Sequence, residues 1–279
     1  MIAFPGAKIN LGLNIVANRK DGYHDLETIF YPIPLYDVLE ITYMDDLFPS
    51  EDPCDLKITG SVIPGSETDN LVIKAYKLLA KDFALPRIHI HLNKRIPLQA
   101  GLGGGSSDAA FMIKLVNESF DLKLNVALME KYAAKLGADC AFFISGKPAF
   151  ATGIGDHLSA VDTSTCNLKG YFLMIVKPAV AISTKEAYAN ITTAYPQKTC
   201  LEVIQQPIET WKDELSNDFE NSIFPKYPTL NHIKEQLYAK GAIYAAMSGS
   251  GSTIFGIFKE DPSQLEHHFN NYYTQTLLL

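Results

Sequence analysis

Between Pro97 and Ala110 the chain reads PLQAGLGGGSSDAA, four glycines and two serines set among small apolar residues. Glycine carries no Cβ and tolerates positive φ, so successive backbone N–H groups in such a run can converge on one anion. Before the loop, Ile88, Ile90 and Leu92 alternate with polar residues over Arg87 to Leu92, the period of a strand. After it, Ala109, Met112, Ile113 and Val116 recur at the period of a helix. The start of that helix points a positive dipole end at the loop. A flexible linker would have polar flanks and no helix start. The segment therefore reads as a phosphate cradle.

It is not one of the commonest cradles. No lysine follows Gly105, as a Walker A loop requires, and Gly101 and Gly103 are followed three residues later by Ser106 rather than glycine, which removes the dinucleotide fingerprint. The protein-kinase set needs His-Arg-Asp and Asp-Phe-Gly. The nearest segments here are Gly22-Tyr23-His24-Asp25 and Asn217-Asp218-Phe219-Glu220.

The loop resembles the glycine-serine motif of the GHMP small-molecule kinases, the superfamily of galactokinase, homoserine, mevalonate and phosphomevalonate kinases. Other segments in matching order carry the same resemblance: Ala7 to Leu13, then Arg19 to His24 with Leu26 to Phe30, Leu136-Gly137-Ala138-Asp139, Ser216-Asn217-Asp218, and Met247 to Thr253 near the C-terminus. It runs from about residue 5 to about residue 258. The family implies a mixed α/β (α+β) fold of two domains, the first like ribosomal protein S5 domain 2 and the second ferredoxin-like. The expected division is an ATP-binding domain over 1–155 and a second domain over 156–279, with a junction in the small-residue segment Gly153 to Gly170.

The resemblance also implies roles. Lys8 and Asp139 match the pair that assists transfer to a hydroxyl: the carboxylate accepts the proton, and the ammonium offsets charge on the transferred group. Taken alone, each reads as an ordinary surface residue. ATP is expected at Pro97, Leu98, Gln99, Ala100, Gly101, Leu102, Gly103, Gly104, Gly105, Ser106 and Ser107, with Asn70 beside the nucleotide, although Asn70 also suits a helix cap. Ser106 and Ser107 have three readings: phosphate donors, Mg²⁺ ligands, or caps of the following helix. Asp108 suits the first turn of a helix with or without a ligand. The acceptor implied by Asp21-Gly22-Tyr23-His24 is a small molecule, a cytidyl diphosphate sugar alcohol. The matching positions are Asn10, Tyr23, His24, Phe30, Thr184 and Tyr188, with Tyr23 and Tyr188 sandwiching the cytosine and His24 reading its edge. Core packing is the ordinary fate of such aromatics, and the family often has Phe at 188. Rival readings are a homoserine- or mevalonate-type kinase and a GHMP-fold nucleotide sensor without catalysis.

The chain around these residues has 279 residues, 47% of them hydrophobic, enough for a substantial core and two domains. A formal charge of −7 argues against nucleic acid as a partner. Cysteines 54, 140, 166 and 200 form no Cys-x-x-Cys pair, and the histidines supply no zinc spacing. His89 and His91 read as a polar strand face, and His267 and His268 as helix surface. With no signal-like N-terminus and no apolar run of about 18 residues, a soluble, reduced, cytoplasmic protein away from membranes is expected.

The positioning elements are set by periodicity and caps. Strands are expected at Ala7–Ala17, Glu27–Pro34, Val38–Tyr43, Leu56–Thr59, Tyr171–Val176, Ile243–Met247 and Thr253–Phe258. Helices are expected from the Asp69-Asn70 cap through Leu79, on a face of Leu71, Ala75, Leu78 and Leu79, and from Asn125 on Leu128, Tyr132 and Leu136, with Gly137 as a left-handed stop. Further helices are expected over Lys185–Asn190 and over Ile233–Ala239, after His232.

Overall fold

The structure, a computed structural model, describes every residue except 46, 64, 163, 165 and 190. Its strands, in chain order, are β1 (Ile2–Ala3), β2 (Gly6–Asn18), β3 (His24–Tyr36), β4 (Val38–Tyr43), β5 (Cys54–Gly60), β6 (Ile88–Lys94), β7 (Ala149–Thr152), β8 (His157–Ala160), β9 (Phe172–Lys177), β10 (Tyr244–Met247), β11 (Ile254–Phe258) and β12 (Tyr273–Leu278). They divide between two compact units. The first comprises Met1–Ala7, Leu35–Leu98 and Gly103–Gly146, and the second Lys8–Pro34, Gln99–Leu102 and Lys147–Leu279.

In the first unit, strands run in the order β1-β4-β6-β5, with β5 and β6 parallel and the other pairs antiparallel. Ile88, Ile90 and Leu92 are buried as their alternation predicts, and the same period carries Lys94 inward. Helix α1 (Leu71–Leu79) starts where Asn70 Oδ1 accepts the Val72 N–H at 2.9 Å. Its buried face is Val72, Ile73, Ala75, Tyr76 and Leu79, turned by about one residue from the expected one, because Tyr76 packs inward and leaves Leu71 and Leu78 half-buried. Helix α2 (Gly104–Ser119) buries Ala109, Ala110, Met112, Ile113 and Val116.

Helix α3 (Val126–Ala134) is capped by Asn125, whose Oδ1 accepts the Leu128 N–H at 2.9 Å. Two expectations are corrected there. Tyr132 and Ala133 make its buried side, while Leu128 is exposed and Leu136 half-buried, and Gly137 is extended (φ 171°) rather than left-handed. The helix stops at Ala134, and the chain re-enters a 3-10 turn at Ala138–Cys140 before the short helix Phe142–Ser145.

The second unit holds two sheets, β2-β3-β7-β8 and β10-β11-β9-β12. In the latter every neighbouring pair is antiparallel, helix Pro228–Ala239 lies between β9 and β10 in the chain, and a 3-10 helix at Ser263–Phe269 precedes β12. This strand order and alternation is the ferredoxin-like pattern. Its core joins Met174 and Val176 of β9 to Leu230, Ile233 and Leu237 of the helix and to Met247 and Ile254 of the hairpin. The helix begins a turn earlier than expected, with Pro228 preorganised at its first position, so His232 lies inside it. Thr184–Tyr188 is helical, and Asn190, where that helix was expected to run, lies outside the described residues. Strand β8 falls within the expected junction Gly153 to Gly170.

Among the described residues, no helix is long and apolar enough to cross a membrane, and no group of three or more His, Cys, Asp or Glu side chains is placed to hold a metal. His89 pairs with Asp55 at 2.8 Å, and His91 bonds Thr59 at 2.9 Å along a half-buried strand face.

Candidate active site

Strand period places Lys8 and Asn10 on one face of β2. Lys8, which reads as a solvated lysine in isolation, is 2% exposed. Its Nζ donates to Asn10 Oδ1 at 2.6 Å and to the Gly101 carbonyl at 3.1 Å, and stands 5.0 Å from the centre of the Phe30 ring. Asn10 in turn donates to Thr28 Oγ1 at 2.9 Å, which donates to the Gly12 carbonyl. A buried ammonium needs such partners, and here they also fix its position. The structure thus brings together Lys8, Asn10, Phe30 and Gly101 from separate stretches of sequence.

Residues 99–102 lie along the start of β2, where the Lys8 N–H donates to the Leu102 carbonyl at 3.0 Å. Gly101 (φ +72°) is obligatory on steric grounds, since a Cβ there would sit 1.8 Å from the Ser248 carbonyl oxygen. That contact belongs to the turn between β10 and β11, and Ser248 Oγ donates to the Gly101 carbonyl at 2.9 Å.

In the first unit, α2 begins at Gly104 after left-handed Gly103 (φ 70°), so neither Ser106 nor Ser107 caps it; both fall in its first turns. The Ser106 hydroxyl, in the first turn of α2, favours ionisation of the Cys140 thiol in the turn carrying Asp139. Burial nonetheless pushes the Cys140 thiol up to about 11. Asp139 is half-buried in that turn. Ser107 is fully buried, and its Oγ has no hydrogen-bond partner among the described residues.

Sequence reading missed the group under this loop. Lys94 Nζ is held between the carboxylates of Asp37 and Asp108, the latter at 2.7 Å, with all three side chains at most 2% exposed. Asp37 Oδ1 also accepts the N–H groups of Arg95 (2.6 Å) and Ile96 (2.9 Å), at the exit of β6. Burial pushes Asp108 above the usual carboxylate range against the pull of Lys94. Burial also opposes the Lys94 charge, but the two carboxylates outweigh it and hold its pKa above the ordinary value. The β6 alternation already carried the signal for Lys94, the fourth member of the series 88, 90, 92.

The aromatic positions lie in the second unit. His24 stacks on Tyr188 with ring centres 4.6 Å apart and 20° between planes, and Phe219 meets Tyr188 edge-on at 4.8 Å. One face of Tyr188 is thus covered by the histidine expected to read a base edge. Tyr23 is 60% exposed. Thr184 is exposed at the start of its short helix, after Ser183, whose Oγ accepts the Glu186 N–H at 3.1 Å. In the first unit, Asn70 both caps α1 and lines a cleft of about 340 Å³ with Ile58, Gly60, Ser61, Ile63 and Asp69.

Residues 70–147 match the family described as GHMP kinases N terminal domain, and residues 201–275 match GHMP kinases C terminal. The chain is 56% identical over 261 residues to a Bacteroides fragilis protein named 4-diphosphocytidyl-2-C-methyl-D-erythritol kinase, covering 94% of this chain and 93% of that one. A Cytophaga hutchinsonii protein of the same name is 47% identical, with 97% of each chain covered. Among solved structures, a 4-(cytidine 5'-diphospho)-2C-methyl-D-erythritol kinase superposes with a TM-score of 0.79 at 27% identity over 100% of both chains. Mevalonate kinase from Methanococcus jannaschii superposes at 0.70 with 14% identity, covering 100% of this chain and 98% of that one, a likeness of fold.

Proposed function

The chain belongs to the GHMP kinases, in the branch of the 4-diphosphocytidyl-2-C-methyl-D-erythritol kinases, and from that premise we propose that it transfers the γ-phosphoryl group of ATP to the 2-hydroxyl of 4-diphosphocytidyl-2-C-methyl-D-erythritol, a step in isoprenoid precursor synthesis. Within the site, the observation that most supports the reading is the buried Lys8 ammonium, held by Asn10 and by the carbonyl of Gly101. A lysine that merely solubilises a surface has no reason to be placed so.

In this reading the polyphosphate of ATP lies on Pro97 to Ser107, where the N–H groups of the first turn of α2 have no intrahelical partners and the helix dipole favours negative charge. The cleft beside Asn70 takes the nucleoside. Asp139 accepts the proton of the attacking hydroxyl, and Lys8 offsets charge on the phosphoryl group in flight. Asn10, Tyr23, His24, Phe30, Thr184 and Tyr188 hold the acceptor. Because His24 covers one face of Tyr188, a base stacked on that face requires the imidazole to turn aside onto the base edge.

A magnesium ion fits this chain in one respect. The buried, unpartnered Ser107 Oγ is a hard oxygen donor in the first turns of α2, and Mg²⁺ is commonly held by one or two protein oxygens plus nucleotide phosphates. Such an ion would supply charge neutralisation on the β- and γ-phosphates. We assign the family's two domains to residues 1–155 and 156–279, and the enzyme to the cytoplasm, which suits four unpaired buried cysteines.

Incubation with ATP and, separately, the cytidyl substrate, mevalonate, homoserine or galactose tests the assignment. Phosphate transfer to the cytidyl substrate alone is expected. Transfer to another acceptor would move the chain to a different branch, and transfer to none would leave a nucleotide sensor.

A further inference from the structure

The segment Ser216 to Glu220 contains the incomplete Asp-Phe-Gly match and has no part in the phosphoryl-transfer chemistry assigned to Lys8 and Asp139. Its contacts, all within the second unit, join two pieces of the site. Toward β2, the Leu13 N–H donates to the Ser216 carbonyl (2.8 Å), the Asp218 N–H to the Leu13 carbonyl (2.8 Å), and the Ile15 N–H to the Asp218 carboxylate (2.7 Å). This stitches the segment onto the strand that carries Lys8 and Asn10.

Toward the turn between β10 and β11, the buried Asn217 carboxamide donates to the Met247 carbonyl (2.7 Å) and the Gly249 carbonyl (2.9 Å), while its oxygen accepts the Phe219 N–H (3.0 Å). Glu220 accepts the Met247 N–H on one oxygen (2.8 Å) and pairs with Lys234 through the other (2.5 Å). Both polar backbone groups of Met247 are thereby fixed by side chains of one short segment. The turn so fixed sends Ser248 Oγ to the Gly101 carbonyl, which is the oxygen that also accepts from Lys8 Nζ.

We infer that Asn217 and Glu220 are positioning residues for phosphoryl transfer, setting the Ser248 turn and, through it, the Gly101 carbonyl on which the Lys8 ammonium rests. The inference depends on the role proposed for Lys8. Gly101 approaches Ser248 too closely for a Cβ to intervene, so a turn displaced toward Gly101 must move it, and one displaced away loses the Ser248 Oγ bond to the Gly101 carbonyl. Asn217 also has a chemical requirement that size alone does not meet. Aspartate in its place would set an oxygen without a proton against two buried carbonyls.

The test compares Asn217→Ala in the wild-type and Lys8→Met backgrounds, reading kcat per folded molecule, both KM values and thermal unfolding, with Ser248→Ala as a milder variant. Misplacing a reacting group by about 1 Å costs on the order of 10²-fold, so Asn217→Ala should lower kcat by about that factor and leave both KM values within about twofold. In the Lys8→Met background the same change should cost no further turnover, since the group it positions is gone. Ser248→Ala should lower kcat by a smaller factor with the same dependence on Lys8. A lower unfolding temperature with unchanged kcat would make Asn217 scaffold only, and an equal loss in both backgrounds would also overturn the proposal. If Asn217→Ala does not fold, Ser248→Ala decides the matter, and full kcat in that variant overturns it. Wild-type turnover in Lys8→Met by itself would instead remove the role given to Lys8, a result separable from any turn variant.

Discussion

Left-handed Gly103 passes the chain into a 16-residue helix, whereas left-handed Gly249 passes it between two strands already paired from Tyr244↔Ile257 to Met247↔Ile254. The two glycine-serine segments are nearly the same in composition, yet their backbone groups have different fates. At the start of α2 the first N–H groups have no carbonyl four residues back to receive them. In the second segment the Ser248 N–H goes to the Thr253 carbonyl at 2.9 Å, the Gly251 N–H to the Ser248 carbonyl at 3.0 Å, and Asn217 takes two further carbonyls. The first segment thus offers a helix start to an anion, while the second is tied into the bonds that support the site. The element that each loop leads into, a helix or a returning strand, decides between these fates, and glycine content does not.

The sharpest way to break this distinction is at Gly101, which touches the supporting turn. Gly101→Val combines a β-branched residue at φ +72° with a Cβ driven into the Ser248 carbonyl, and should destabilise the protein by roughly 2 to 6 kcal/mol, read from urea unfolding. Unchanged stability would mean the two segments are not locked together.

Gly104 tests the receiving loop. Its missing Cβ points inward, 2.9 Å from Ile96 Cγ2 and 3.2 Å from Lys94 Nζ, so Gly104→Val should cost roughly 1 to 3 kcal/mol by overpacking and, by pushing the start of α2 outward, weaken ATP binding more than binding of the cytidyl substrate. Calorimetric titration of each ligand separates the two effects. Equal ATP affinity in the variant would return the loop to the status of a linker.

A smaller effect is expected at the exposed Tyr23. If its ring stacks on cytosine, Tyr23→Ala should lose about 1 to 3 kcal/mol of substrate binding and Tyr23→Phe much less, with ATP affinity steady. CDP should compete with the organic substrate, and more weakly in Tyr23→Ala. Failure of cytidine nucleotides to compete would remove the base from the recognition scheme.

The least effect concerns the thiols. Burial pushes Cys54 and Cys140 up to about 11 and Cys166 up to about 12, so at pH 7 to 8 a thiol reagent should modify the native protein slowly and the urea-unfolded chain fast. Rapid native labelling would show that one of these sites opens readily.

Much of this was legible in the residues because local rules govern it. The Asn70 and Asn125 caps, the β6 alternation and the strand–loop–helix order around Gly101 each depend on contacts within a few positions. The ion triad was not, since Asp37, Lys94 and Asp108 meet only after β4, β6 and α2 have packed, although the period of β6 already turned Lys94 inward. The stacking of His24 on Tyr188 likewise joins two separate stretches of the second unit's sequence, and no spacing rule reaches that far. Gly137 failed as a left-handed stop because the helix had already ended at Ala134 and the chain needed an extended step into the turn of Asp139.

That turn supplies the measurement closest to the central claim, that this chain moves a proton from an alcohol while it moves a phosphoryl group. Asp139→Asn keeps the size of the side chain and removes its basicity. With the cytidyl substrate and ATP, single-turnover kinetics should show kcat lowered by roughly 10² to 10⁴ while the dissociation constants of both ligands are retained. Turnover near the wild-type rate would contradict the account and take Asp139 out of the chemistry.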